Sequence, residues 1–195
     1  MNARAFIPVD KAAFYRFIAT QPEQRYEFEG GRIVQQMTGG TLQHFRLAKR
    51  ISDLVEPQLD AAKWEVLRDW GVETDKTVRF GDVVVCPAGT PGSVLATPQP
   101  ALIVEVLSPS SLHNDLDRKP AEYLSLASLQ AYIVASQDEA ACLAWVRGAD
   151  GRFPAVPVEF GPNDLVAIPP LGIALSIAAI YSGIIDAPPK DTPHG

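Results

Sequence analysis

Residues 82–107 read DVVVCPAGTPGSVLATPQPALIVEVL, two apolar runs on either side of a Pro/Gly-rich loop, and each run holds one carboxylate. Asp82-Val83-Val84-Val85-Cys86 and Ala101-Leu102-Ile103-Val104-Glu105-Val106-Leu107 are almost continuously apolar, the mark of strands covered on both faces. Residues 87–100 are a loop by composition. A carboxylate in such a strand costs several kcal/mol unless it is paired, protonated or bound to a cation. Asp82 stands four residues before Cys86, and Glu105 stands four residues after Ala101. In an antiparallel pair of equal register the two lie directly opposite, with Cβ atoms about 4.5–5.5 Å apart. A slip of one residue would send them to opposite faces. Facing carboxylates repel unless a cation lies between them, and hard oxygen donors suit Mg²⁺ or Mn²⁺. The plainer alternative has Asp82 capping its strand and Glu105 paired with an arginine or lysine.

Outward from this core, helix-like and strand-like patterns alternate. Ala13, Phe14, Phe17 and Ile18 give residues 10–19 a helical stripe. Residues 25–29 alternate, Gly30-Gly31 supplies a tight turn needing positive φ, and residues 32–37 resume extended, which predicts a hairpin. Residues 41–59 predict a longer helix with Ala48, Ile51, Leu54 and Val55 on one stripe and Pro57 near its end. Further strands are expected at 64–70, 131–135 and 142–146, and a second helix at about 117–126, with Asp115 and Asp117 as caps. The order describes an α/β (α+β) chain of one domain, residues 1–185, whose central strands are covered on both faces. The last ten residues, DAPPKDTPHG at 186–195, predict a loose tail.

Composition narrows the class. The 195 residues are 47% hydrophobic and 21% charged, which suits a globular domain with a sizeable core. The apolar runs are too short to span a bilayer, and the N-terminus lacks the apolar core of a signal peptide, so the expected location is the cytoplasm, with no membrane partner. Cys86 and Cys142 sit in apolar runs and read as core residues. A net charge of −6 speaks against a protein that coats nucleic acid, though not against a local basic groove.

Asp82, then Glu105-Val106-Leu107-Ser108-Pro109-Ser110, then DLDRKPAEY at 115–123 resemble the PD-(D/E)XK nuclease-like superfamily. The resemblance is to its large bacterial restriction-endonuclease-like family, formerly a domain of unknown function. Arg25-Tyr26-Glu27 with Gly31-Arg32-Ile33-Val34 resembles the same family's N-terminal hairpin, and His44 falls where that family has histidine. The likeness covers about residues 10–182, and EVLSPS is its most specific part. It implies a restriction-endonuclease-like core, a central mixed β-sheet flanked by helices. Asp82 and Glu105 would be metal ligands for Mg²⁺ or Mn²⁺, Glu27 an accessory acid, and DNA the substrate. The signature lysine is absent, since Leu107 stands two residues after Glu105; Lys119, on the next helix, matches the lysine that replaces it in this branch. Gly81 stands where the family has proline, and Pro120 places Lys119 at the entrance of its helix.

Each residue also has a plainer role. Glu27 could face solvent between Tyr26 and Phe28, Lys119 could be a surface lysine, His44 a hydrogen-bonded boundary histidine, and Tyr123 a packing residue. The function implied is a Mg-dependent endonuclease acting through Asp82, Glu105, Lys119 and Glu27, with His44 and Tyr123 as accessories. The alternatives are a nuclease fold kept as a binding or assembly module, or a hydrolase of small phosphate esters. The hairpin and the Pro/Gly-rich loop offer contacts for a homodimer.

Overall fold

The computed structural model describes residues 8–21, 24–36, 40–107 and 114–185. The tail expected at 186–195 and the Ser108-Pro109-Ser110 part of the motif lie outside them, as does the side chain of Asp115. In chain order the elements are α1 (Lys11–Ile18), β1 (Tyr26–Glu29), β2 (Arg32–Gln35), α2 (Leu42–Val55), β3 (Trp64–Glu73), β4 (Thr77–Pro87), β5 (Ala96–Thr97) and β6 (Leu102–Val106). There follow α3 (Lys119–Tyr123), β7 (Ala131–Ala135), β8 (Cys142–Val146), β9 (Val158–Phe160), β10 (Leu165–Ile168), β11 (Ile173–Ser176) and α4 (Ile177–Tyr181).

The apolar runs of the centre form the spine of one mixed sheet. β4 pairs antiparallel with β6, β6 parallel with β7, and β7, β8 and β9 continue antiparallel. β6 and β7 are buried along their whole length, as continuous hydrophobicity requires of strands covered twice. One face packs Val83, Val85, Leu102 and Val104 against Leu47, Ala48, Ile51 and Val55 of α2, together with α4 and the β10–β11 hairpin. The other packs Val84, Ile103 and Tyr132 beneath Tyr123 of α3 and Leu129. This is the α+β architecture, a central mixed sheet flanked by helices, that the pattern implies.

Local chemistry sets the ends of the elements. Asp10 Oδ1 accepts from the Ala13 N–H and caps α1, and Thr41 Oγ1 accepts from the His44 N–H and caps α2. Gly30 and Gly31 turn the β1–β2 hairpin at φ 53° and 94°. α3 is shorter than expected. A π-type turn over Asn114–Arg118 leads into it, and Arg118 rather than Asp117 stands at its N-cap, without a side-chain cap. Strands β9 to β11 and α4 had no counterpart in the sequence pattern. No helix among the described residues is long and apolar enough to cross a membrane.

The 87–100 segment is not wholly loop, since β5 within it pairs parallel with β3 at Gly71. A Cβ on Gly71 would meet Leu95 O at 2.4 Å and Ala96 Cβ at 2.7 Å. Gly71→Ala is therefore expected to cost about 1–3 kcal/mol in urea unfolding, the range for overpacking a fitted contact. Gly92→Ala, with nothing within 4 Å of its Cβ, is the control and should leave the midpoint unchanged.

Candidate active site at a fork in the sheet

β4 carries the arrangement. β3 occupies one of its edges from Val78 to Pro87. The other edge is shared by β1, at Thr77 and Val78, and by β6, at residues 83–85. Between them, at residues 79–82, no strand among the described residues pairs with that edge, and the sheet forks. The β4–β6 ladder pairs Val83 with Val104, Val84 with Ile103 and Val85 with Leu102. One step further sets Asp82 opposite Glu105, on the face of Val84 and Ile103. This is the equal register that the symmetric spacing about the loop requires.

Both carboxylates are engaged by neighbours. Asp82 Oδ2 accepts from the Val106 N–H at 2.6 Å, so its side chain closes the end of the ladder at the fork. Asp82 Oδ1 lies 3.0 Å from His44 Nε2 at the start of α2, within hydrogen-bond distance. His44 and Asp82 are each mostly shielded, with 18% of the side chain exposed. His44 is thus the hydrogen-bonded boundary histidine and also a neighbour of the site. Glu105 is buried, and Lys119 Nζ lies 2.9 Å from its Oε1, an ion pair without the alignment of a directed hydrogen bond. Lys119 is not a surface lysine: at the first position of α3, with Pro120 where a missing N–H breaks no helical bond, its side chain runs inward.

Glu27 is buried too, contrary to the solvent-facing role its alternation allowed. Its Oε2 accepts from Arg79 Nη1 at 2.9 Å and Gln36 Nε2 at 3.0 Å, and its Oε1 from the Phe80 N–H at 3.4 Å. Burial raises its pKa, and the charges of Lys119 and Arg79 offset that rise without cancelling it. Tyr123 is fully buried, its ring edge-on to Tyr132 at 5.4 Å. Burial, with Glu105 second, pushes its hydroxyl well above the ordinary tyrosine value. That hydroxyl has no hydrogen-bond partner among the described residues.

Two residues of the fork, Arg79 and Asp69, had not been singled out. Arg79, 1% exposed, reaches Glu27, Glu29 and Glu122. Asp69 has φ 58°, and the β3–β4 ladder pairs Arg68 with Val83 and Trp70 with Gly81 while leaving Asp69 and Asp82 out. Asp82 therefore stands at a local break on both edges of its strand. The signal for Arg79 was present: a lone charge in Thr77-Val78-Arg79-Phe80 deserves the question asked of the carboxylates. Leu107, in the signature lysine's place, directly follows β6; its N–H donates to Ala135 O and its carbonyl accepts from Gln137 Nε2.

The donor set suits a hard cation. Mg²⁺ is ordinarily held by one or two carboxylates, with water and substrate phosphate completing its octahedron. Asp82 and Glu105 are the two carboxylates that could serve in this way; no group of three His, Cys, Asp or Glu able to hold a metal occurs among the described residues.

Comparison with known proteins follows the same line. The sequence model of a family named Uma2, described as "Putative restriction endonuclease", matches residues 12–179. The uncharacterized protein sll1609 of Synechocystis sp. is 30% identical over 133 residues, covering 65% of this chain and 74% of its own. Another from that organism, slr1290, is 26% identical over 183 residues, covering 91% of this chain and 95% of its own. A crystal structure from Anabaena variabilis, described as a "putative nuclease", superposes with a TM-score of 0.60 over 84% of this chain and 93% of that one. At 16% sequence identity, that likeness shows a shared fold.

Proposed function

Because the chain belongs to the Uma2 family of restriction-endonuclease-like proteins, we propose that it is a metal-dependent endonuclease that hydrolyses DNA phosphodiester bonds in the cytoplasm, with residues 1–185 acting as one domain. The observation that supports this most is the opposition of Asp82 and Glu105 at the fork, with Lys119 Nζ 2.9 Å from Glu105. Asp82 and Glu105 would hold Mg²⁺ or Mn²⁺. The chemistry supplied by the cation when bound is polarisation of a phosphoryl oxygen and a lowered pKa for the attacking water.

The side chains do the rest. His44 and the Val106 N–H fix the Asp82 carboxylate, so that its free lone pairs keep one direction. The Lys119 ammonium orients the attacking water beside Glu105 and stabilises charge as the water–phosphorus bond forms and the ester bond breaks. Glu27 would serve as the accessory acid, its pKa raised by burial, and the buried Tyr123 hydroxyl as an accessory group. β2 is an outer strand of the sheet, and its edge, which pairs with no other strand among the described residues, supports a homodimer in which that edge meets a second copy. Sedimentation tests this: a single monomeric species across the concentration range would remove the dimer.

Supercoiled plasmid with Mg²⁺ or Mn²⁺ is the direct test, beside Glu105→Gln protein prepared identically and a chelator control. Metal-dependent nicking by the wild type alone is the expected result; equal cleavage by both proteins would take Glu105 out of the site. One observation favours the alternative of a silent binding module: Lys119 already neutralises Glu105, and His44 already engages Asp82. Titration calorimetry separates the two. Absence of Mn²⁺ binding, with or without DNA, would leave the silent module standing.

A further inference from the structure

α3 is five residues long, too short to hold itself together in water, and a π-type turn leads into it. Its place comes from what grips it, and it carries Lys119, Glu122 and Tyr123. Glu122 receives two hydrogen bonds from one guanidinium, Arg79 Nε to Oε2 at 2.5 Å and Arg79 Nη2 to Oε1 at 2.9 Å, a bidentate fork. The Thr77 hydroxyl adds a third at 3.1 Å. The remaining nitrogen of Arg79, Nη1, donates to Glu27 Oε2 at 2.9 Å and Glu29 Oε1 at 2.8 Å. One buried side chain thus spans the gap in the fork, tying the helix that carries Lys119 to the hairpin that carries Glu27. Lysine could not do this, since a point charge has no planar fork to fix the rotation of a carboxylate.

We propose that Arg79 is a positioning residue, which fixes α3 against the β1–β2 hairpin and thereby sets the Lys119 ammonium against Glu105. Apolar contacts could dock a short helix without desolvating four charges. What the guanidinium adds is direction: with both Glu122 oxygens held, α3 cannot roll, and Lys119, one turn earlier, keeps its aim. Arg79 is too deeply buried to touch a substrate, so it acts through the residues it aligns. Its consequence for cleavage rests on the role proposed for Lys119; its effect on where Lys119 points does not.

Glu122→Gln is the first variant, because it breaks the α3 side of the tie with a near-isosteric neutral group and leaves Glu27 and Glu29 on Arg79. Amine acylation followed by mass spectrometry reads the result. In the wild type Lys119 should react far more slowly than Lys49 and Lys63, whose side chains are 61% and 73% exposed. Glu122→Gln should raise Lys119 acylation about 10-fold through local opening of α3, while buried Cys86 and Cys142 stay unreactive and report an intact fold. Unchanged Lys119 protection in the folded variant would overturn the proposal, and so would wild-type Lys119 reacting as fast as Lys63. This arm decides even if the wild type cleaves no DNA. If it does cleave, Glu122→Gln should lower kcat with KM unchanged and have no further effect in a Lys119→Met background. Fully multiplicative losses there would mean that Arg79 and Glu122 only stabilise the fold, and would also overturn the proposal.

Discussion

Lys119→Met is expected to destabilise the protein by about 3–5 kcal/mol, the cost of leaving one member of a buried ion pair without its partner. The same change should reduce metal-dependent cleavage roughly 10²–10³-fold, the usual loss on removing one charge-stabilising donor. Glu105 is 3% exposed, and in the variant it would sit in the sheet with its nearest cation gone. Adding Glu105→Gln removes the stranded charge, and most of the stability should return. Activity should not return, because that double change removes both a proposed ligand and the ammonium. Urea unfolding and plasmid nicking measured on the wild type, both single variants and the double variant give the two cycles. A double variant as unstable as Lys119→Met would show that Glu105 does not depend on Lys119. Recovery of cleavage in the double variant would exclude both residues from the chemistry.

The central part of the fold was legible because hydrophobic continuity and loop length say the same thing. Val83 to Cys86 and Ala101 to Val104 read as buried strands, and equal arms about the loop allow the register that faces the two carboxylates, which the β4–β6 ladder follows. The hairpin was legible from Gly30-Gly31, whose positive φ angles only a turn of that kind uses. Beyond this, tertiary context decided. β4 begins at Thr77, five residues before the run that announced it, because a buried Arg79 looks like a solvent-facing residue until its three carboxylate partners are brought round it. Those partners lie 43 to 52 residues away, so no local window could show them. Lys119 was hard to place for a different reason. Proline after it forbids an ordinary helix interior, and only the π-type turn over residues 114–118 shows how the chain enters α3 with that lysine pointing inward. β9 to β11 stayed hidden because three- and four-residue strands lack enough length to establish alternation.

Arg79→Met should be as damaging to stability as Lys119→Met, and its cost should depend on pH. At neutral pH the loss is expected to be about 3–5 kcal/mol, because Glu27, Glu29 and Glu122 would lose the cation they share. Burial already raises the pKa of Glu27 in the intact protein, with Lys119 and Arg79 pulling it back. Without Arg79 only part of that restraint remains, and the Glu27 pKa rises further. A carboxyl whose folded pKa exceeds its unfolded value favours folding below the unfolded pKa, and that contribution is lost as pH rises through the folded one. The difference in stability between wild type and variant should therefore be smaller at about pH 5 than at about pH 8, the same direction as for an ordinary ion pair but extending to higher pH because burial already raises the Glu27 pKa. Urea midpoints for both proteins across that range provide the measurement. A gap that stays constant, or widens toward acid, would mean that the three carboxylates find other partners when Arg79 is gone. Adding Glu27→Gln should narrow the gap at the alkaline end, since it removes the group whose ionisation the vacated guanidinium had allowed.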